Sequence, residues 1–243
     1  MQAVLDNIRI VLVATSHSGN IGSTARAMKN MGFSKLILVN PQAEINGDAI
    51  SMSSGADNIL ANTMIVPDLL TAIAPCSLVL GASARTRRIE ATCKSVRAAV
   101  ADVISFAGQE IAIVFGSEHS GLTNEELNMC HIHINIPTVK TFSSLNLSQA
   151  VQVVCYELYT GLLQVEKGLL IEAGESKVLA NLSELEGLQQ HFAAVMQQIE
   201  FLNPAQPKKL ESRMRRLLLK ANLEPAEVNI LRGFLATVAK KIT

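Results

Sequence analysis

The sequence predicts an α/β domain with a mostly parallel sheet, followed by a small helical extension. Three observations point to it. Through the first 160 residues, short β-branched runs alternate with amphipathic stretches, the pattern of strands covered by crossover helices. After Gly161 those runs stop, and helical segments punctuated by turn residues replace them. The chain has 243 residues and is 49% hydrophobic, enough to bury one good core and an appendage.

Taken in order, IRIVLVAT (8–15), KLILVN (35–40), SLVLGA (77–82) and EIAIVFG (110–116) are the clearest strands, HIHINI (131–136) is a fifth, and MIV (64–66) is a short candidate. Helical patterns lie between them at 20–31, 68–74 and 94–106, and the longest runs from 146 to about 164. The reading divides the chain into a domain over 1–164, a linker over 165–180 and a helical extension over 181–243. Within the extension, Ser183 with Glu186 is expected to form a capping box, Pro204 and Pro207 break the chain, and Pro225 sits near the start of the last helix.

Composition excludes several classes. No apolar run approaches the ~20 residues of a membrane span, and the N-terminus has no basic region followed by an apolar stretch, so a cytosolic protein is expected. Cys76, Cys93, Cys130 and Cys155 show no CxxC spacing, which suggests buried thiols rather than disulfides or a zinc knuckle. Cys130-His131-Ile132-His133 contains metal-ligating types, but no second pair lies nearby, and no metal is expected. The net charge is +0, which by itself argues against nucleic acid. The total hides an asymmetry, because residues 208–220 hold six basic side chains, Lys208, Lys209, Arg213, Arg215, Arg216 and Lys220, against Glu211.

Three polar turns follow strands. The first is Ser16-His17-Ser18-Gly19-Asn20-Ile21-Gly22, leading into a helix with Arg26; the second is Gly81-Ala82-Ser83-Ala84-Arg85; the third is Gly116-Ser117-Glu118-His119-Ser120-Gly121-Leu122. Ligands of open α/β sheets bind beyond the carboxyl ends of strands, where small residues let a ligand approach the backbone. None of the turns has the GxGxxG spacing of a dinucleotide fold or the GKT/GKS of a phosphate loop. Read alone, each is also an ordinary strand–helix turn. Ser143-Ser144-Leu145-Asn146 before the long helix is equally an ordinary cap.

Order along the chain adds what single turns lack. Asn20-x5-Arg26, then Phe115-Gly116-Ser117-Glu118-x2-Gly121-Leu122, then Ile136-Pro137 followed by Ser143-Ser144-Leu145-Asn146-Leu147-Ser148, resemble the three motifs of the SPOUT superfamily of RNA methyltransferases. The resemblance covers about residues 1–160. The segments SHSGNIGSTARAMKNMG, LTNEEL and SSLNLSQAVQVVCYE narrow it to the ribose 2'-O-methyltransferases that act on a pyrimidine of tRNA. The resemblance implies a sheet whose C-terminal part threads a trefoil knot, S-adenosylmethionine as cofactor, a homodimer, and position 32 of tRNA as target. It places Ala82, Ser83, Ala84, Gly116, Ile136, Ser143, Ser144 and Leu145 around the cofactor. Arg26, Asn20 and Ser144 become the catalytic candidates. A guanidinium stays protonated, so Arg26 suits holding a phosphate and stabilising a nascent alkoxide, from across a dimer interface, rather than taking a proton. Glu118 has two open roles, substrate contact or a brace for its own loop. The same chemistry on ribosomal RNA or another tRNA site, and a non-catalytic RNA-binding relative, are the competing readings.

Arg85, Arg87 and Arg88 follow a cofactor turn and are expected to contact RNA phosphates, as are Lys208, Lys209, Arg213, Arg215 and Arg216. The basic helix carries Leu210, Met214, Leu217 and Leu218 at core spacing, which is expected to turn its charges outward. Aromatic residues make up 4% of the chain and Trp is absent, so shape and phosphate contacts rather than base stacking are expected to dominate recognition. His17 and His119 stand in two of the polar turns, with structural hydrogen bonding as the ordinary alternative to a functional role.

Overall fold

The computed structural model describes residues 1–84, 93–139, 141–169, 178–203 and 209–242, in two compact units, Met1–Ser176 and Lys177–Thr243. The first unit is built on a seven-stranded sheet: β1 (Ile8–Val13), β2 (Lys35–Val39), β3 (Met64–Val66), β4 (Leu78–Ala82), β5 (Cys93–Ser95), β6 (Ile111–Phe115) and β7 (Ile132–Asn135), in the order β3-β2-β1-β6-β4-β7-β5. Every neighbouring pair is parallel. Parallel strands need covered faces, and Ile10–Val13 and all of β6 are buried. The order brings β6, β4 and β7 side by side, so the turns after these strands leave one end of the sheet together.

The covering helices are α1 (Gln2–Leu5), α2 (Ser18–Asn30), α3 (Gly47–Ser53), α4 (Asp57–Ala61), α5 (Leu69–Ile73), α6 (Val96–Ser105), α7 (Asn124–Asn128) and α8 (Leu147–Glu166). Helix α2 buries Ile21, Ala25 and Met28, the i, i+4, i+7 stripe of an amphipathic helix. Gly22 lets it meet α3 closely, because a Cβ there would stand 2.0 Å from the Ala49 carbonyl oxygen. Helix α8 buries Leu147, Val151, Val154, Leu158 and Leu162. No helix among the described residues is long and apolar enough to cross a membrane.

Several expectations shift. The 94–106 pattern opens with strand β5, and the helix starts only at Val96, capped by the Ser95 hydroxyl. Helices α1, α3, α4 and α7 were not expected. The first three are short and bury one or two residues each, too few to show a period. Helix α7 starts with a capping box of Thr123 and Glu126.

The second unit holds α9 (Leu182–Gln198), α10 (Leu210–Ala221) and α11 (Pro225–Ile242) around Leu185, Leu188, Val195, Leu218, Leu219, Val228 and Leu235. Its capping box is Asn181 with Glu184, two residues before the expected Ser183 and Glu186. Asn181 is the extended residue there, and Ser183 already lies inside the helix. Glu186 is paired instead with Arg215, both side chains being largely buried. The expected face of α10 is corrected in part. Leu218 is buried and Leu210 and Met214 are half-buried as expected, but Leu217 is 61% exposed while Leu219 is buried, and Arg215 points inward to Glu186 rather than outward.

Candidate active site

The turns after β4, β6 and β7 enclose a cavity of about 340 Å³, within the range of small-ligand sites. Ala82, Ser83 and Ala84 line it from the first turn, Gly116 from the second, and Ile136, Ser143, Ser144 and Leu145 from the third. All eight expected cofactor-lining residues therefore share one cavity. Sequence reasoning missed its apolar floor, where Leu147, Ala150 and Val154 of α8 stand with Val96 and Ile134. The i, i+3, i+7 spacing of these three residues on the long helix is the sequence signal for that floor.

The second turn depends on glycine at two positions. A Cβ on Gly116 would lie 2.1 Å from the Gly121 carbonyl carbon and 2.2 Å from the Leu122 nitrogen, so no side chain fits where the backbone recrosses. Gly121 adopts φ +66°, which L-residues disfavour, and its N–H donates to the Ser117 carbonyl at 2.9 Å.

Glu118 joins this turn to the first motif. One carboxylate oxygen accepts the Ser16 N–H and the Ser16 hydroxyl, both at 3.0 Å, and the other accepts the Asn20 amide at 2.8 Å. Asn20 Oδ1 accepts the Asn146 amide at 2.9 Å. Asn146 Oδ1 in turn caps α8, accepting from the Ser148 N–H at 2.9 Å and the Gln149 N–H at 3.4 Å. One hydrogen-bond chain thus ties together distant segments, its longest single link, Asn20 to Asn146, spanning 126 positions. Partial burial pushes the Glu118 carboxyl up, but the Asn20 and Ser16 donors outweigh it and hold the group below its ordinary value.

Arg26 is placed elsewhere. It is exposed on α2, its guanidinium donates to the Ser54 hydroxyl at 3.2 Å, and it does not line the cavity. Among the described residues no Lys or Arg lines the cavity. Arg85, Arg87, Arg88 and Lys208 lie outside the described residues. Lys209, Arg213 and Lys220 are exposed, while Arg216 is half-buried.

The two histidines of the β7 segment are engaged in the fold and the Cys76, Cys130 and Cys155 thiols are buried, whereas Cys93 on β5 is exposed, against the expectation of four buried thiols. His131 Nδ1 accepts from the Val79 N–H at 3.1 Å, and burial pulls its pKa down to about 4. His133 Nε2 lies 2.9 Å from the Leu127 carbonyl oxygen. Burial pushes the Cys76 and Cys130 thiols up to about 12, which keeps them protonated near neutrality. Among the described residues no group of three or more His, Cys, Asp or Glu is arranged to hold a metal.

The donor set fits S-adenosylmethionine. Small residues and a glycine that excludes any Cβ admit close backbone approach, an apolar floor suits a flat base, and the Ser83, Ser143 and Ser144 hydroxyls suit ribose and amino-acid polar groups.

Comparison with known proteins agrees with these features. The SpoU rRNA methylase family model matches residues 7–156, and the model of the C-terminal domain of the tRNA methyltransferase TrmJ matches residues 183–243. The chain is 44% identical to the tRNA (cytidine/uridine/adenosine-2'-O-)-methyltransferase TrmJ of Pseudomonas aeruginosa, over 98% of this chain and 95% of that protein. It is 43% identical to the tRNA (cytidine/uridine-2'-O-)-methyltransferase TrmJ of Sodalis glossinidius, over 97% and 92%. The crystal structure of TrmJ from Z. mobilis superposes with a TM-score of 0.83 at 29% identity, covering 95% of this chain and 98% of that one.

Proposed function

The chain belongs to the SpoU rRNA methylase family, and from that membership we propose that it is a cytoplasmic enzyme methylating the ribose 2'-hydroxyl of cytidine or uridine at position 32 of tRNA, with S-adenosylmethionine as donor. The observation that carries this reading is the convergence of three sequence motifs on one cavity, tied by the chain from Ser16 through Glu118 and Asn20 to Asn146. The C-terminal match at 183–243, to a domain named for a tRNA methyltransferase, favours tRNA over ribosomal RNA.

The bound cofactor supplies an electrophilic methyl group on a sulfonium. A ribose hydroxyl is a poor nucleophile at neutral pH, so this chain's residues must align it and stabilise the charge that develops on its oxygen. Asn20 and Asn146 hold the first and third motifs in register, Glu118 braces both against the second, and Ser144 shapes the cavity wall. Arg26 stabilises the developing alkoxide or holds the neighbouring phosphate. Because Arg26 of the same chain does not line the cavity, this role calls for a second copy, and the enzyme works as a homodimer in which Arg26 of one subunit serves the other's cavity. The strand order supports a trefoil knot, since β7 lies between the earlier β4 and β5. The exposed Lys209, Arg213 and Lys220 hold RNA phosphates from the helical unit.

Labelled S-adenosylmethionine incubated with the protein and bulk tRNA or rRNA from a methyltransferase-deficient strain tests the reading. Label should map to the ribose of nucleotide 32 of tRNA; label confined to rRNA overturns the substrate assignment. Mixed dimers of an Arg26→Ala subunit and a subunit with a ruined cofactor cavity should recover one working site, and a light-scattering mass of one chain at micromolar concentration rules the shared site out.

A further inference from the structure

We propose that His17 and His119 form a phosphate-binding subsite that grips the RNA backbone next to the methylated nucleotide, an inference that rests on the function proposed above. The two histidines come from different motifs. His17 immediately precedes α2, and His119 stands in the turn after β6, yet their rings meet with centroids 6.2 Å apart and planes at 65°. His119 lines the mouth of the cavity. Both side chains are exposed, and among the described residues neither ring is hydrogen-bonded. His17 occupies the N-cap position without capping the helix, so its ring nitrogens keep their donor capacity.

A need for donors exists at this point. An RNA strand that lays a ribose over the cavity must bring a phosphate on each side of it to the rim; among the described residues of the same subunit no Lys or Arg lines the cavity, and Arg26 of a second copy serves at most one of the two phosphates. An imidazole donates one N–H when neutral and two when charged, and the rings are close enough for one phosphate to receive donors from both. The positive end of the α2 dipole lies at His17 and adds to the attraction. The neighbouring carboxylate of Glu118 does not compete for those donors, because both its oxygens already accept bonds from Ser16 and Asn20. That same carboxylate fixes the relative position of the two segments, so the subsite is assembled before RNA arrives. Backbone contacts of this kind set register without reading sequence, which suits a protein with few aromatic side chains.

The test pairs protein variants with a neutralised phosphate. Full-length protein is assayed on tRNA assembled by ligation with a single uncharged methylphosphonate linkage on the 5' or the 3' side of nucleotide 32. For the wild-type protein, one of the two linkages should lower kcat/KM by about tenfold, mainly through KM, the scale of removing one charge-assisted hydrogen bond. The His17→Ala/His119→Ala double variant should lose about as much on normal tRNA and nothing further on the modified one. His119→Arg, which keeps a donor at that site, should retain RNA KM. Losses that multiply in the double variant overturn the subsite, as does weakened cofactor affinity by calorimetry with unchanged RNA KM, which makes the pair a wall of the cofactor cavity. A wild-type protein that transfers no methyl to unmodified tRNA overturns the functional reading and the subsite with it, whereas transfer with multiplying losses overturns the subsite alone.

Discussion

The carboxyl end of the sheet and helix α10 both carry residues that the sequence marks as functional, and the two regions treat those marks differently. At the sheet end, all eight residues expected around a cofactor line one cavity. In α10, the expected basic face is divided: Lys209, Arg213 and Lys220 face solvent, while Arg215 turns inward to Glu186. The difference lies in what fixes each position. Gly116 is where it is because backbone crosses backbone 2.1 Å from its absent Cβ, a constraint that no other residue type satisfies. An arginine on a helix has no such restriction. Its long apolar stem packs as readily as it extends, and a single acid on a neighbouring helix decides which it does.

The sharpest way to break this contrast is at Gly116. Gly116→Ala should abolish measurable cofactor binding, because the new methyl must displace the Gly121-Leu122 backbone that forms the cavity wall. Calorimetry with S-adenosylmethionine reads the result, and retained affinity would show that the turn yields easily. Arg26→Ala comes next. It should leave cofactor binding near normal and lower the single-turnover rate by about 100-fold, the scale of losing one charge-stabilising group. Lost cofactor affinity with an unchanged chemical rate would make Arg26 a binding residue.

Glu118 sharpens the account of the cavity end. Its carboxylate receives three donors, and replacing it by Gln puts an amide N–H against one of them. Glu118→Gln should destabilise the α/β unit by about 1–2 kcal/mol at neutral pH. The folded-state pKa of Glu118 is lowered, so its stabilisation is complete above the ordinary Glu value of about 4.3 and is lost as pH falls through the lowered folded value. Urea titrations should therefore show a wild-type advantage that is flat above about pH 5 and shrinks in stronger acid. An advantage that grows on acidification contradicts the bonding described.

How much of this was legible follows the same division. Strands β1, β2, β4, β6 and β7 are readable because each is a compact apolar run, and α8 because Leu147, Val151, Val154 and Leu158 repeat at helical spacing over a long stretch. Helices α3 and α4 bury two residues each, which leaves no pattern to detect. The strand order is invisible in the sequence, since neighbours such as Leu80 and Ile132 meet across a large loop. The lining residues of the site were readable from small-residue turns in a particular order. The bonds that unite them were not, because Ser16 and Glu118, or Asn20 and Asn146, are partners only once β1, β6 and α8 are stacked. Glu118 had two open roles for that reason, and the structure shows the carboxylate occupied within its own chain.

The smallest effects lie in the helical unit, and they separate its arginines and lysines by what they touch. Arg215→Glu should lower stability by about 1–2 kcal/mol, less than for a fully buried pair because both partners keep some solvent contact, since it sets two carboxylates against each other at Glu186. It should leave the salt dependence of tRNA binding unchanged. Lys209→Glu, Arg213→Glu and Lys220→Glu should do the reverse. Each should weaken tRNA binding several-fold at moderate salt and flatten the slope of log K against log salt by about one for every phosphate no longer neutralised, because each such neutralisation releases about one counterion. Unfolding midpoints should barely move, as these side chains are exposed. Filter binding across a salt series and urea unfolding together read both quantities. If the triple variant Lys209→Glu/Arg213→Glu/Lys220→Glu kept the wild-type slope, the outer charges of α10 would be solvated rather than bound, and phosphate recognition would fall to the α/β unit alone.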